Sequence, residues 1–391
     1  MKRPFLLLIA FILIFTTCVP ISVAAQAEKG LITPPSLEAP SGILINTKTG
    51  DVLWQKNPDE KRPIASTTKI MTAILAIENG SLDKAVTINS DAASITENGM
   101  KLTPGEQIKL RDLLYALMLD SANDAAVAIA DFIDGSLPKF VARMNAKAKG
   151  IGAVNTNYAN PNGLVDKDEQ GAIVHFSTAR DLATIAKYAM RNKIFATIVG
   201  TKQRTIYRED PSKPRVMVNL NRLLWTYPGA NGVKTGYTDD AGHCLVASAQ
   251  REGVSLITVV LGEKSHAAVF RESATLLNYG FSLYEKKRLI FKNITYKTVK
   301  LSYGQKVSLS VPSNVDAVVK RTVKTNVKIE LKPNIGAPIK KGAVLGKISI
   351  LQSGKPVATS ALVADKNIQK PSFGEILGYY WRQFWQGLMR L

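Results

Sequence analysis

The spacing of apolar positions predicts a long buried helix early in the chain. Ile70, Ile74 and Ile77 recur at i, i+4 and i+7, which is the spacing of one helix face. Pro63 before this run and Asn79-Gly80 after it are typical start and stop signals. We therefore expect a helix over about 66–78, with its first turn just after Pro63.

The same patterns predict further helices and strands. Runs with a 3.6-residue period predict helices, and short apolar runs between turn residues predict strands. The further predicted helices are 110–118, 125–130, 140–149, 182–190 and 270–284. The predicted strands are 42–45, 51–54, 245–249 and 256–261. Antiparallel strands with a face covered by helices indicate an α+β fold.

The last quarter of the chain has a different texture. From about residue 286, short alternating runs separated by Gly, Pro and Asn predict a small all-β domain. Residues 373–391 then form an amphipathic helix, and Arg382-Gln383 at its middle argue against a membrane span. We expect this helix to lie in a membrane interface, the alternative being a helix docked on the β-domain or on a second copy. Its apolar face consists of Phe373, Ile376, Leu377, Tyr380, Trp381, Phe384, Trp385 and Leu388.

The N-terminus has the features of a secretory signal peptide. Lys2-Arg3 precede an apolar stretch over 5–15, and Val23-Ala24-Ala25 is a small-residue cleavage site. A lipid anchor at Cys18 is the less favoured alternative. The mature chain then keeps one cysteine, Cys244, and has no internal disulfide. The predicted divisions are 1–25 signal peptide, 26–285 catalytic domain, 286–368 basic all-β domain and 369–391 membrane-associating helix.

Positive charge is concentrated in the C-terminal part. The whole chain carries a net charge of +20, and residues 286–391 hold 20 Lys and Arg against four Asp and Glu. For an exported protein this asymmetry indicates an anionic membrane surface or cell-wall polymer as partner rather than nucleic acid. A solvated basic face without a specific partner remains the alternative.

Ser66-Thr67-Thr68-Lys69 is the candidate nucleophile motif. A serine hydroxyl needs an adjacent base, and a lysine can serve as one when burial and nearby cations lower its pKa. At the start of a helix, free N–H groups and the positive dipole end favour developing negative charge. The same Ser-x-x-Lys pattern begins at Ser81 and Ser136, but only the copy at Ser66 opens a long apolar helix.

Two further polar motifs follow in the chain. Ser121-Ala122-Asn123 lies between two apolar helical runs, where simple helix capping is the alternative interpretation. Lys234-Thr235-Gly236 precedes the strand pair, whereas the Lys-Thr-Gly at 48–50 lies in a predicted hairpin turn before the nucleophile. The three histidines, His175, His243 and His266, lack metal-ligand spacing, so we expect neither a metal nor a cofactor.

Together, S-x-x-K, S-x-N and K-T-G in this order resemble the penicillin-recognising serine enzymes. More closely, the chain resembles the low-molecular-weight penicillin-binding proteins, the serine-type D-alanyl-D-alanine carboxypeptidases of peptidase family S11. Ser-Ala-Asn in place of Ser-Asp-Asn and the run around His175 fit that family. The resemblance implies a β-lactamase/transpeptidase-like domain, an antiparallel sheet flanked by helices, followed by the β-domain and the C-terminal helix.

The resemblance also implies catalytic roles. Ser66 attacks the carbonyl of the penultimate D-alanine of a peptidoglycan stem peptide, and Lys69 is its base. Ser121 relays the proton to the leaving amine, and Asn123 holds the substrate amide and the lysine. The backbone N–H groups of Ser66 and Tyr237 form the oxyanion hole.

The same resemblance implies that the third motif binds the substrate. Lys234 supplies positive charge for the terminal carboxylate and helps to keep Lys69 neutral, and Thr235 hydrogen-bonds that carboxylate. Gly236 lets the substrate lie against the strand as an added edge. Arg271 is a further candidate carboxylate partner, from a rough alignment across a loop of differing length.

Alternative functions remain at this point. A D,D-endopeptidase would use the same residues. A β-lactamase needs a second base, and the only glutamate between Ser121 and Tyr207, Glu169, lacks the expected surroundings. A non-enzymatic wall-binding module has no support, because every reactive residue is present. The preferred prediction is an exported carboxypeptidase, inhibited covalently by β-lactams and anchored peripherally on the outer face of the cytoplasmic membrane.

Overall fold

The computed structural model describes residues 32–208 and 214–389. Residues 34–389 of this range belong to one compact unit, which begins at Pro34. The predicted signal peptide and Cys18 lie outside the described residues.

A five-stranded antiparallel sheet forms the centre of the first domain. The order of its strands is β2-β1-β9-β8-β7, so β7 is an edge strand. The predicted hairpin and the predicted strands at 245–249 and 256–261 are confirmed as β1, β2, β8 and β9. In chain order the strands are β1 (Ser41–Asn46), β2 (Val52–Lys56), β3 (Ala85–Thr87), β4 (Gln107–Lys109), β5 (Gln203–Ile206), β6 (Arg215–Val218), β7 (Ala230–Thr238), β8 (Gly242–Arg251) and β9 (Val254–Glu263).

The helices follow the predicted pattern, with shifted ends. Helix α1 ends at Asn79, as predicted. The last helix of the first domain, α9, begins at His266, four residues before the predicted start. Its N-cap is Ser265, which accepts a hydrogen bond from the Ala268 N–H. The helices are α1 (Lys69–Asn79), α2 (Ser90–Ala93), α3 (Leu110–Tyr115), α4 (Asn123–Asp134), α5 (Leu137–Gly150), α6 (Ala179–Ala189), α7 (Lys193–Gly200), α8 (Leu223–Thr226) and α9 (His266–Ser282).

The sheet separates two hydrophobic cores. Side chains alternate along each strand, so Ile43 belongs to the larger core with α1 while Leu44 belongs to the smaller core with α9. On β8, Val246 and Leu245 divide in the same way. Helices on both faces of an antiparallel sheet confirm the predicted α+β class. This packing holds α1 and β7, which carry two of the predicted motifs, against one another.

A smaller all-β domain and an exposed helix complete the chain. The β-domain has its own core, which includes Val307, Leu309 and Ile348. The predicted domain boundary after residue 285 falls inside strand β10 (Tyr284–Ile290) and stays a prediction. None of the side chains of the C-terminal helix, α10, is buried. The elements are β10 (Tyr284–Ile290), β11 (Lys297–Lys300), β12 (Lys306–Ser310), β13 (Val315–Lys320), β14 (Thr325–Leu331), β15 (Val344–Gln352), β16 (Lys355–Ala364) and α10 (Phe373–Leu388).

Candidate active site

Ser66 lies in a tight turn immediately before α1. The sequence predicts it in the first α-helical turn, but the structure has a 3₁₀ turn over Ala65–Thr68, and Lys69 is the first α-helical residue. Ala65 has a φ of 46°, a left-handed conformation that a residue with a Cβ seldom adopts. The Thr68 hydroxyl donates to the Ala65 carbonyl at 2.8 Å and helps to hold this turn. The turn aims the partly exposed Ser66 side chain into a cavity.

The Lys69 amine contacts three acceptors inside the protein. Its Nζ lies 2.7 Å from Ser66 Oγ, 2.7 Å from Asn123 Oδ1 and 2.7 Å from the Asn162 carbonyl oxygen. The side chain is fully buried. The first and second predicted motifs therefore meet at one nitrogen atom, and a loop carbonyl that the sequence did not identify is its third partner.

Burial lowers the pKa of Lys69 well below its usual value. The positive charge of Lys234 lowers that pKa further, while Asp124 partly opposes the shift. Burial also lowers the pKa of Lys234, to about 7. Burial of Lys69 and the charge on Lys234 both favour a neutral amine on Lys69, which is the form able to accept a proton.

The second motif is held by an irregular helix end. Helix α3 widens into a π-helical turn at Ala116–Asp120, and Ser121 follows with a left-handed φ of 62°. Such wide turns inside helices are frequent at functional sites. The Asn123 amide nitrogen donates to the Glu97 carbonyl at 2.9 Å, which directs the amide oxygen toward Lys69. The capping alternative is therefore wrong: the N-cap of α4 is Ala122, no described side chain caps this helix, and Asn123 binds Lys69.

The third motif lies on β7, directly against the nucleophile turn. A Cβ added at Gly236 would lie 3.0 Å from the Ser66 backbone nitrogen and 3.1 Å from the Ile64 carbonyl oxygen. A side chain at this position would therefore push β7 and the nucleophile turn apart by a few tenths of an ångström. The Lys234 ammonium donates to the Thr235 carbonyl at 2.9 Å and is buried.

A cavity of about 410 Å³ lies beside these motifs. Ser66, Ser121, Thr235, Gly236 and Tyr237 line it, as expected if they bind one ligand. The other lining residues come from separate elements with no shared motif, so the sequence alone does not mark them as site residues. They are Asn98, Leu220, His243, Cys244, His266, Val269 and Phe270.

Arg271 does not line this cavity. It is exposed on α9, whereas His266, Val269 and Phe270 of the same helix are lining residues. Since each residue turns an α-helix by about 100°, Arg271 lies about 140° around the axis from His266. Its role as a carboxylate partner therefore has no geometric support in this structure.

His175 is buried behind the nucleophile turn. Its Nδ1 accepts the Ala159 N–H at 3.1 Å, so the ring proton is on Nε2, which donates to Thr68 Oγ1 at 2.7 Å. Burial and the nearby Lys69 lower the pKa of His175 to about 4. The imidazole is thus a neutral structural group that supports the turn through Thr68.

Comparison with known proteins agrees with this geometry. Residues 28–265 match peptidase S11, described as D-alanyl-D-alanine carboxypeptidase, and residues 284–370 match the C-terminal domain of penicillin-binding protein 5. The chain is 37% identical over 348 residues to D-alanyl-D-alanine carboxypeptidase DacF of Bacillus subtilis, covering 86% of this chain and 87% of that protein. It is 33% identical to DacC of Escherichia coli, covering 93% and 92%.

Solved structures show the same architecture. The D-alanyl-D-alanine carboxypeptidase DacD from Francisella tularensis aligns with a TM-score of 0.62 and 30% identity, covering 90% of this chain and 100% of that one. Penicillin-binding protein 5 from Haemophilus influenzae aligns with a TM-score of 0.61 and 29% identity, covering 86% and 99%. The chain therefore belongs to the peptidase S11 family of serine D-alanyl-D-alanine carboxypeptidases and carries the C-terminal domain of penicillin-binding protein 5.

Proposed function

We propose that the protein removes the terminal D-alanine from peptidoglycan stem pentapeptides through an acyl-enzyme on Ser66. The observation that carries this proposal is the 2.7 Å contact between Lys69 Nζ and Ser66 Oγ at the wall of a cavity. Lys69 takes the hydroxyl proton as Ser66 Oγ attacks the carbonyl carbon of the penultimate residue. The C–N bond then breaks, D-alanine leaves, and water later hydrolyses the ester.

Ser121 and Asn123 complete the proton path in this proposal. The Ser121 side chain lines the cavity; in the proposal its hydroxyl gives a proton to the leaving nitrogen and takes one from the Lys69 ammonium, which returns to the neutral amine. The Asn123 oxygen, 2.7 Å from Lys69 Nζ, fixes the base. Asn123 is buried and is not among the described residues that line the cavity, so its contact with the substrate amide stays a prediction. In this proposal the proton from Ser66 moves through Lys69 and Ser121 to the leaving group without passing through bulk water.

Two backbone N–H groups, those of Ser66 and Tyr237, form the proposed oxyanion hole. The close approach of Gly236 to the Ser66 nitrogen supports this pairing, because it brings β7 beside the nucleophile turn. A donor of this kind is typically worth about 10²–10³ in rate. Lys234 and Thr235 supply positive charge and a hydroxyl for the substrate carboxylate, and β-lactams acylate the same serine.

The experiment measures D-alanine released from a peptide that ends in D-Ala-D-Ala. We expect release by the signal-free protein and a loss of at least about 10³-fold in Ser66→Ala, because the nucleophile is absent. Ser81→Ala is a matched control, since Ser81 heads a second Ser-x-x-Lys pattern on an exposed surface. Equal release by parent and Ser66→Ala would contradict the proposed nucleophile.

We further propose that residues 1–25 direct export and that α10 attaches the protein to the membrane surface. The support is an aromatic face that is largely exposed: Trp381 is 62% exposed, Phe384 58% and Trp385 47%. Within this face, Tyr380 contacts Tyr303 of the β-domain. Such a face buries in the headgroup region of a bilayer. No helix of the described residues is long and apolar enough to cross a membrane. The domain divisions at 285 and 368 belong to the same proposal.

A further inference from the structure

Four aromatic rings form a continuous row along the active-site cavity, and the proposed mechanism uses none of these rings. Tyr237 stacks on His243 with ring centroids 4.4 Å apart. His243 contacts His266 at 5.4 Å, and His266 contacts Phe270 at 5.2 Å, both edge to face. All four residues line the cavity. The row therefore brings two imidazoles, from β8 and α9, to the place where the substrate binds.

The substrate ends in a carboxylate, which needs a hydrogen-bond donor in this cavity. No Lys or Arg is among the described residues that line it. The Lys234 ammonium is buried and donates to the Thr235 carbonyl, and Arg271 lies outside the lining. Two other lining residues already use their donors, since the Asn98 amide donates to the Asp120 and Ser121 carbonyls and the Tyr237 hydroxyl donates to Asp239. The imidazoles of the aromatic row therefore remain as donors beside the Thr235 and Ser121 hydroxyls.

His266 is the better placed of the two imidazoles. It is exposed, whereas His243 is half-buried between Tyr237 and His266. It also lines an adjoining groove that contains Arg222 and Trp225, so it lies where the cavity opens outward.

The start of α9 adds to the attraction for an anion. His266 is the first residue of this 17-residue helix, and the Ser265 side chain accepts the Ala268 N–H. Unpaired N–H groups and the positive end of the helix dipole surround the first turn. Val269 and Phe270 of the same helix end line the cavity as well. The imidazole and the helix end thus act on the same part of the cavity.

One acidic group lies close to the row. Glu263 pairs with His243 across β8 and β9, and its carboxylate raises the pKa of His243, against the lowering by burial and by His266. Glu263 is buried, and its Oε1 accepts the Lys264 N–H at 2.8 Å. It is not a lining residue of the cavity, so it does not occupy the position of the ligand.

We propose that His266 donates a hydrogen bond to the free carboxylate of the last residue of the substrate. This inference rests on the proposed carboxypeptidase function and names a binding residue for it. His243 supports the His266 ring through their edge-to-face contact. Leu220 and Val269, which line the same cavity, contact the methyl group of the departing D-alanine. Selectivity for a free C-terminal carboxylate then depends on α9 as well as on Lys234 and Thr235.

The experiment compares two peptides that differ only at the carboxylate. One ends in D-Ala-D-Ala and the other in D-Ala-D-Ala-amide, and kcat/KM is measured for release of the last residue. His266→Ala should lose about 10- to 100-fold on the acid, the usual effect of losing a hydrogen bond to a charged group, and less than about 3-fold on the amide. His266→Gln, which keeps an N–H donor, should recover part of the loss on the acid.

Arg271→Ala and Arg222→Ala are the matched controls. Both residues are exposed, and neither lines the active-site cavity, so each variant should keep the parent preference for the acid. Equal losses by His266→Ala on both peptides, or no loss on the acid, would overturn the inference. A loss confined to the acid in Arg222→Ala or Arg271→Ala, with His266→Ala unaffected, would also overturn it.

Failure of the proposed function gives a different result. In that case the parent releases no D-alanine from the acid peptide. The inference is then tested on the rate of covalent acylation by benzylpenicillin against its methyl ester. A loss in His266→Ala that is confined to the free acid supports carboxylate recognition, and equal rates for parent and variant overturn it.

Discussion

The Lys69 amine has as many acceptors as an ammonium group has protons. Its three partners are Ser66 Oγ, Asn123 Oδ1 and the Asn162 carbonyl. In the neutral amine, two N–H groups suffice for Asn123 and Asn162, and the lone pair accepts the Ser66 hydroxyl proton. The same heavy-atom positions therefore suit both protonation states. In the proposed mechanism, proton transfer from Ser66 needs no rearrangement of the site.

His175 makes the stability of the protein depend on pH. Its pKa is lowered to about 4 in the folded state, while an unfolded histidine titrates near 6.5. Below about pH 6.5, His175 binds a proton in the unfolded chain but stays neutral in the folded protein. The free energy of unfolding therefore falls as the pH decreases toward 4. The difference corresponds to about 3 kcal/mol.

Urea unfolding of the parent and of His175→Gln between pH 7.5 and pH 4 measures this contribution. The variant should be less stable at pH 7.5, since the hydrogen bonds to Ala159 and Thr68 are weakened. It should then lose about 3 kcal/mol less than the parent as the pH falls. Parallel stability curves for the two proteins would show that His175 does not titrate as its burial implies.

At the scale of elements, the loop over 160–163 fixes both the base and the nucleophile turn. Asn162 supplies a carbonyl to Lys69, and the next residue, Gly163, lies against the turn with a φ of 89°. A Cβ at Gly163 would lie 2.1 Å from the Ala65 carbonyl oxygen and 2.9 Å from Thr68 Oγ1. Loop and turn therefore cannot be changed independently.

Gly163→Ala should destabilise the protein by about 2–4 kcal/mol, from overpacking added to a left-handed backbone. Gly171→Ala is the matched control: Gly171 has a φ of 79°, but an added Cβ would meet no atom within 4 Å. This control should lose only about 1 kcal/mol. Thermal unfolding measures both effects, and the rate of acylation by penicillin should fall in Gly163→Ala alone. Similar losses in the two variants would mean that the turn tolerates displacement.

The elements were predictable where the pattern of the sequence is local. The spacing of Ile70, Ile74 and Ile77 was sufficient to predict helix α1. The resemblance to a family was needed to predict that Ser66, Asn123 and Lys234 belong to one site. The start of α9 was not predicted, because a serine N-cap before His-Ala-Ala carries little hydrophobic signal. The positions of His175 and Asn162 depend on tertiary packing and on a backbone carbonyl, neither of which leaves a motif in the sequence.

At the scale of the molecule, a near-neutral catalytic body is joined to a strongly basic C-terminal part. Residues 286–391 carry 20 Lys and Arg against four Asp and Glu, and α10 adds an exposed aromatic face. In the proposed attachment to a membrane, charge acts toward anionic headgroups over about a Debye length, while the aromatic face contributes only on contact. The two contributions can be separated by salt.

Sedimentation with lipid vesicles tests this division. The full chain should bind anionic vesicles in 0.1 M NaCl and bind less in 0.5 M, because salt screens the lysines and arginines. A chain ending at Pro371, which keeps the β-domain core residue Ile368, should lose most binding at both salt concentrations. It should keep its turnover of a soluble peptide, since α10 has no buried side chain. Undiminished binding of the shortened chain would contradict anchoring by α10.

The edge position of β7 has a consequence for drug resistance. In the proposed mode of binding, substrate and β-lactam both pair with the backbone of this strand, whose N–H and C=O groups do not depend on the encoded side chain. Proline would remove an N–H, and a side chain at Gly236 would crowd the nucleophile turn, but other substitutions in β7 leave these backbone groups in place. Selection by a β-lactam can therefore reshape the side chains that line the cavity, but it finds few single mutations that abolish recognition of the drug and spare that of the cell-wall peptide.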